Sequence, residues 1–167
     1  MDIETRNEEA KDIEQVRDIV RAAFPTDAES RLVDALRAHG KAIISLVAVN
    51  GDDVLGHILF SSVTTAPPSE GTGLGLAPVA VRPDAQSQRI GSKLVREGLR
   101  LCKELGYDYC VVLGSPKYYQ RFGFEKASPF GIRNEYGVDA EFMIIHFSEH
   151  SVTGVVQFAS EFAMFSV

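Results

Sequence analysis

Three things are scarce in this 167-residue chain: positive charge in excess, cysteines that could pair, and long apolar runs. Lys plus Arg total 17 against 23 Asp plus Glu, a formal charge of −6. An acidic chain is repelled by phosphate backbones, which removes nonspecific nucleic-acid binding from the first readings. Its two cysteines, Cys102 and Cys110, lie in apolar surroundings without C-x-x-C spacing. They read as buried thiols of a reducing compartment, and a disulfide scaffold is excluded. No apolar run approaches the ~20 residues that a bilayer-spanning helix needs. Charge begins at the second residue, which is wrong for a signal peptide. The expectation is a cytoplasmic protein that engages neither membrane nor nucleic acid. No internal repeat, low-complexity tract or linker divides the chain, so one domain is expected over residues 1–167.

What is present is ordinary globular composition, 45% hydrophobic, enough for one sizeable core. A short strand is expected at Ile3–Arg6. Asp12, with Gln15 as capping-box partner, opens a helix in which Ile13, Val16, Ile19, Val20, Ala23 and Phe24 recur at helical spacing until Pro25. A second helix runs from about Glu29, with Leu32, Val33 and Leu36 on one face and Gly40 past its end. Ala42–Val49 and Val54–Val63 are strands joined by the hairpin chemistry of Asn50-Gly51-Asp52-Asp53. Residues 66–73 are a loop, and Leu74–Val81 is a third long strand stopped by Pro83. Ala85–Leu105 carries the longest helical pattern, and Tyr109–Leu113 is a continuous apolar strand of the buried kind. After a short helix through Tyr119, strands are expected at Glu141–Phe147 and Gly154–Phe162. This order implies a single α/β domain of α+β type, a mixed and mostly antiparallel sheet flanked by helices.

Chemistry concentrates in residues 79–95, which read as strand, tight turn and helix N-terminus. The first amides of a helix lack internal acceptors and sit at its positive end, a ready site for an anion. Gly91 permits close approach to the backbone. From Asp84 to Lys103 there are five basic residues against two acidic ones, a local +3. A phosphate-bearing small ligand is implied, although a basic helix face is often only a solvated surface. A P-loop is excluded, because Gly91-Ser92-Lys93 has the wrong order and no upstream glycine. Gly71, Gly73 and Gly75 precede a strand, where a dinucleotide fingerprint follows one.

Gln86-Ser87-Gln88-Arg89-Ile90-Gly91 resembles the [RQ]-x-x-G-x-[GA] acyl-CoA motif of the GNAT N-acetyltransferase superfamily. Tyr118-Tyr119-Gln120-Arg121-Phe122-Gly123-Phe124 resembles that family's F-Y-x-x-x-G-F segment, one strand later. The resemblance covers about Ile3 to Phe147 and implies a GNAT-like domain. It implies acetyl-CoA as co-substrate, with the amides of Gln88, Arg89, Ile90, Gly91 and Ser92 around its pyrophosphate. Val79, Ala80 and Val81 would bind the pantetheine arm through their backbone, and the amide of Val79 or Ala80 would polarise the thioester carbonyl. Tyr119 would protonate the departing thiolate, its ordinary pKa near ~10 being close to a thiol's ~8.5. Ser115 would bind the CoA arm or a water. The family's usual glycine is Arg89 here; a backbone-amide cradle survives if Arg89 keeps a helical dihedral, and its guanidinium would add a phosphate contact.

The acceptor implied is a primary amine. A lysine-like amine of pKa ~10.4 is almost wholly protonated at pH 7, so a base is wanted, and Glu29 is the candidate. The first 34 residues carry ten acids against five bases, a −5 that would attract a cation, although an exposed helix face explains most of it. No metal is expected: His146 and His150 straddle a strand end without further ligands. His57 reads as a polar-face strand residue. Phe158, Phe162 and Phe165 read as core, as a homodimer surface, or as a cover for the acceptor cleft. The competing readings are an acyl-CoA sensor without transfer activity, another acyl chain, and a hydroxyl acceptor.

Overall fold

Apolar residues alternate along the central strands, and the two sets they form face opposite helical layers. A computed structural model describes residues 2–165. In chain order the elements are β1 (Glu4–Asn7), α1 (Ile13–Ala23), α2 (Ala28–Ala38), β2 (Ala42–Asn50), β3 (Asp53–Ala66), β4 (Gly73–Val81) and α3 (Ile90–Glu104). They continue with β5 (Tyr109–Leu113), α4 (Pro116–Tyr119), β6 (Glu125–Lys126), β7 (Ile132–Asn134), β8 (Phe142–His146) and β9 (Gly154–Gln157). The sheet order is β1-β2-β3-β4-β5-β8-β6, with β9 on the far part of β3 and β7 on β9. The β4–β5 and β7–β9 pairs are parallel and the rest antiparallel, the mixed sheet that was expected.

On one face Ile44, Leu46, Ala48, Ile58 and Phe60 meet Ile90, Leu94, Val95 and Leu99 of α3. On the other, Val47, Val49, Val54 and Ala80 meet Val16, Ile19 and Val20 of α1, and Leu59 meets Leu32, Val33 and Leu36 of α2. Strand β5 is buried on both faces, because Cys110 and Val112 join the first layer and Tyr109 and Val111 a separate cluster beneath β8. A continuous apolar run suits such a position.

Several boundaries differ from the sequence reading. Helix α1 is entered through a 3₁₀ turn, Ala10–Asp12, whose capping box joins Glu9 and Asp12. Gln15 instead fastens the β2–β3 turn, accepting from Val54 N (3.0 Å) and donating to Asp52 O (3.2 Å). The long helix starts at Ile90, five residues later than expected, because Ser87 and Arg89 both have positive φ. β3 runs on to Ala66, where its last residues pair with β9. β9 ends at Gln157, and Ser160–Phe165 is a 3₁₀ segment carrying Phe162.

His57 is not on a polar face. It is fully buried, with Nε2 2.8 Å from Ser45 Oγ and 3.8 Å from Glu8 Oε2. Desolvation, and then the nearby Arg37 cation, pushes its pKa down to about 3, so the imidazole is neutral.

Candidate active site

The site begins where two strands part. β4 and β5 pair at Gly73–Tyr109, Leu74–Cys110 and Gly75–Val111. Beyond Gly75 the β4 strand bulges: β3 advances from Ile58 to Phe60 while its partner on β4 changes from Val79 to Leu76. β5 stays with β8 as far as Leu113 opposite Phe142. Bulges bend a strand away from its neighbour, and here the divergence opens a cleft of about 670 Å³. Leu76, Ala77, Pro78 and Val79 line one side and Leu113 and Tyr119 the other. Phe24, Glu29 and Leu32 come from the α1–α2 region, and Tyr136, Val138, Phe158 and Phe162 complete the walls.

Tyr119 reaches the cleft from the end of α4, which has Pro116 at its start and Ser115 as its cap. Ser115 Oγ accepts from Tyr118 N at 3.4 Å, so this exposed residue, expected beside the ligand, has a capping role of its own. The Tyr119 ring packs edge-on against Tyr118 (5.0 Å) and Phe124 (5.7 Å). Gly114 lies under it so closely that a Cβ there would come within 2.4 Å of a ring carbon. Burial, then the neighbouring Tyr118, pushes the phenol up to about 12. The ordinary value assumed from sequence is therefore corrected: Tyr119 stays protonated but is a weaker acid, further from a thiol's ~8.5 than the sequence implied.

Glu29 faces Tyr119's cleft from the first turn of α2. Its Oε1 is buried and has no hydrogen-bond partner among the described residues. The rest of the acidic N-terminal region is largely paired: Asp12 with Arg6, Glu8 with Arg37, and Asp34 with Arg17 and Arg37.

From the cleft, β4 leads to the N-terminus of α3. Val79 lines the cleft, Ala80 is buried against α1, and Val81 Cγ2 lies 3.7 Å from where a Cβ on Gly91 would stand. Gln86 Nε2 reaches Val81 O at 3.5 Å. Arg89 does not keep a helical dihedral, the condition set for the cradle: with φ 61° and ψ 24° it is left-handed, the conformation glycine favours. The turn takes the shape a glycine would give it and does not depend on a helical Arg89. The tight turn thus survives the loss of glycine, at a backbone cost of about 1 kcal/mol. The first helical bond runs from Lys93 N to Arg89 O (3.0 Å), and no side chain caps the helix and no acid occupies its first turn. The amides of Ile90, Gly91 and Ser92 are left without helical acceptors. The Ile90 side chain belongs to the core, so only its backbone can meet a ligand.

The basic stripe is more divided than the count of charges implied. Lys93 Nζ is bound to Ile3 O, Arg100 is paired with Glu97 and Glu104, and Arg96 stacks over Phe122 at 5.1 Å. Gln88, Arg89, Lys93 and Arg96 border an open depression beside the turn. Arg121, which was not singled out from sequence, reaches the first turn of α3 from the second motif. It lies over Tyr118 (4.4 Å) and donates to Tyr118 O (3.1 Å) and Ser92 Oγ (3.4 Å). Its position inside the second motif was the only signal available.

Phe158 and Phe162 line the cleft, whereas the Phe165 side chain lies outside the described residues. His150 bonds Asp108 Oδ1 at 2.8 Å, and among the described residues no group of three or more His, Cys, Asp or Glu is placed to hold a metal. No described helix is long and apolar enough to cross a membrane.

Residues 13–124 match the model of the Acetyltransferase (GNAT) family. The Escherichia coli (strain K12) protein described as the uncharacterized N-acetyltransferase YhbS is 35% identical over 155 residues, 88% of this chain and 90% of the relative. The crystal structure of E. coli YhbS in complex with CoA superposes with a TM-score of 0.92 at 32% identity, covering 99% of this chain and 94% of that one. A GNAT family acetyltransferase from Brucella melitensis in complex with acetyl-CoA gives 0.82 at 35% identity, over 96% and 98% of the two chains.

Proposed function

The chain belongs to the GNAT acetyltransferase family, and from that premise we propose that it transfers acetyl from acetyl-CoA directly to a primary amine. The observation that carries this reading is one cleft holding both a protonated phenol, Tyr119, and a carboxylate oxygen without a partner among the described residues, Glu29 Oε1. An acid without a base would serve a binder no purpose; the pair suits proton traffic at two ends of one bond exchange.

The residues fit the co-substrate. Uncapped amides at Ile90, Gly91 and Ser92, with the Arg121 guanidinium beside them, offer donors for a pyrophosphate. The β4 backbone between Leu76 and Val81, no longer paired with β5, offers hydrogen bonds to a pantetheine arm, and Val79 lines the cleft where a thioester would end. Acetyl-CoA supplies an acyl group activated by its thioester. Glu29 takes a proton from the ammonium, and Tyr119 holds the proton that the departing sulfur receives. Orientation of amine and thioester in one cleft supplies much of the acceleration. Cys102 and Cys110 are both fully buried, and burial pushes the Cys110 thiol up, so neither is suited to carry the acetyl group.

Initial-rate kinetics with both substrates varied test the direct route. Double-reciprocal lines are expected to intersect, as a ternary complex requires. Parallel lines, with acetylated enzyme detected by mass spectrometry, would replace it with a covalent intermediate.

A further inference from the structure

The walls of the acceptor cleft are specific enough to name a class of amine. Building on the transfer reading above, we infer that the acceptor is an arylalkyl monoamine, a single primary amine on an aromatic body without a carboxylate or phosphate of its own. Glu29 is the one formally charged residue among those described as lining the cleft. Its Oε1 is buried without a partner among the described residues, a costly state that a bound ammonium would relieve. No Lys, Arg or His lines the cleft among the described residues, so the carboxylate of an amino acid would be desolvated unpaired. A polyamine or amino sugar would bring several cations or hydroxyls to one carboxylate and an apolar wall.

That wall is aromatic. Tyr136 stacks on Phe158 (5.8 Å, 24°), and Phe158 meets Phe162 at 5.7 Å. Phe24 and Leu32 contribute to the same lining. An aryl ring finds offset and edge-on partners there, where an alkyl chain finds only area. The wall is also held in place. Glu135 Oε2 accepts from Phe158 N at 2.6 Å, and Glu161, beside Phe162, bonds Lys41 (2.8 Å) and His39 (2.5 Å). Such preorganisation favours a rigid ligand over a flexible one.

The chemistry balances. The ammonium loses one proton to Glu29, the N–C bond forms as the C–S bond breaks, and Tyr119 passes its proton to sulfur. The second nitrogen proton leaves and Tyr119 is reprotonated, so an amide, a free thiol and one net proton result.

The test compares 2-phenylethylamine with phenylalanine, which adds only a carboxylate, and with spermidine. Thiol release from acetyl-CoA is measured alongside saturation-transfer NMR binding, which needs no turnover. 2-Phenylethylamine is expected to exceed both rivals by about 100-fold in kcat/KM, the scale of one unpaired buried charge. Tyr136→Ala, at the half-buried rim, is expected to raise its KM about 10-fold, and Glu29→Gln to raise KM about 10-fold and also lower kcat through loss of the base, neither changing acetyl-CoA affinity. Equal or better use of phenylalanine or spermidine would overturn the acceptor class while leaving transfer intact. Saturable 2-phenylethylamine binding without thiol release would overturn transfer and leave the acceptor class standing.

Discussion

Gly91→Glu is expected to abolish measurable acetyl-CoA binding while leaving the fold intact. Gly91 is half-buried at the first turn of α3, and a Cβ there meets only Tyr118 Oη at 3.2 Å and Val81 Cγ2 at 3.7 Å. The backbone therefore accommodates a side chain after a small shift of the Tyr118 hydroxyl. A carboxylate at this end is favourable to the helix itself, by about 0.3–1 kcal/mol. It would, however, occupy the amides of residues 90–92 and repel a pyrophosphate. Loss of affinity by at least about 100-fold is expected in calorimetry, with a melting temperature within a few degrees of wild type. Unchanged affinity would mean that the phosphates lie elsewhere.

Tyr119→Phe separates binding from chemistry. The ring is held by Gly114, Tyr118 and Phe124, and phenylalanine preserves those contacts. Only the proton is lost, so kcat is expected to fall about 10²-fold, with acetyl-CoA affinity unchanged within about 2-fold. The pH dependence has a definite sign. Burial raises the phenol to about 12, so the acid form persists as pH rises and is lost only through that value. Below pH ~10 the wild-type rate is expected to show no falling limb from Tyr119. Wild-type kcat in the Phe variant would remove the acid role.

Much of this was legible in the residues themselves. The apolar run Tyr109–Leu113, the helical spacing from Ile13 to Ala23 and the Asn50-Gly51 turn are local signals, and each produced its element. Strands β6 and β7 are two and three residues long and exist only by pairing with β8 and β9, so nothing local announces them. Phe162 sits in a 3₁₀ turn that Glu161 fastens to Lys41, a contact 120 positions apart in the chain. At Arg89 the left-handed dihedral could not be read from the residue type, because the turn and not the side chain imposes it. Glu29 and Tyr119 could be nominated from sequence. The unpartnered oxygen of one and the raised pKa of the other depend on which distant side chains surround them.

The most direct test is stoichiometric. Wild-type protein is incubated with acetyl-CoA with and without a primary amine, while free thiol and N-acetyl product are both quantified. Thiol release dependent on the amine, matched one for one by acetamide, is the expected result. Thiol released equally without amine, or none released by a protein that binds acetyl-CoA, would contradict direct transfer.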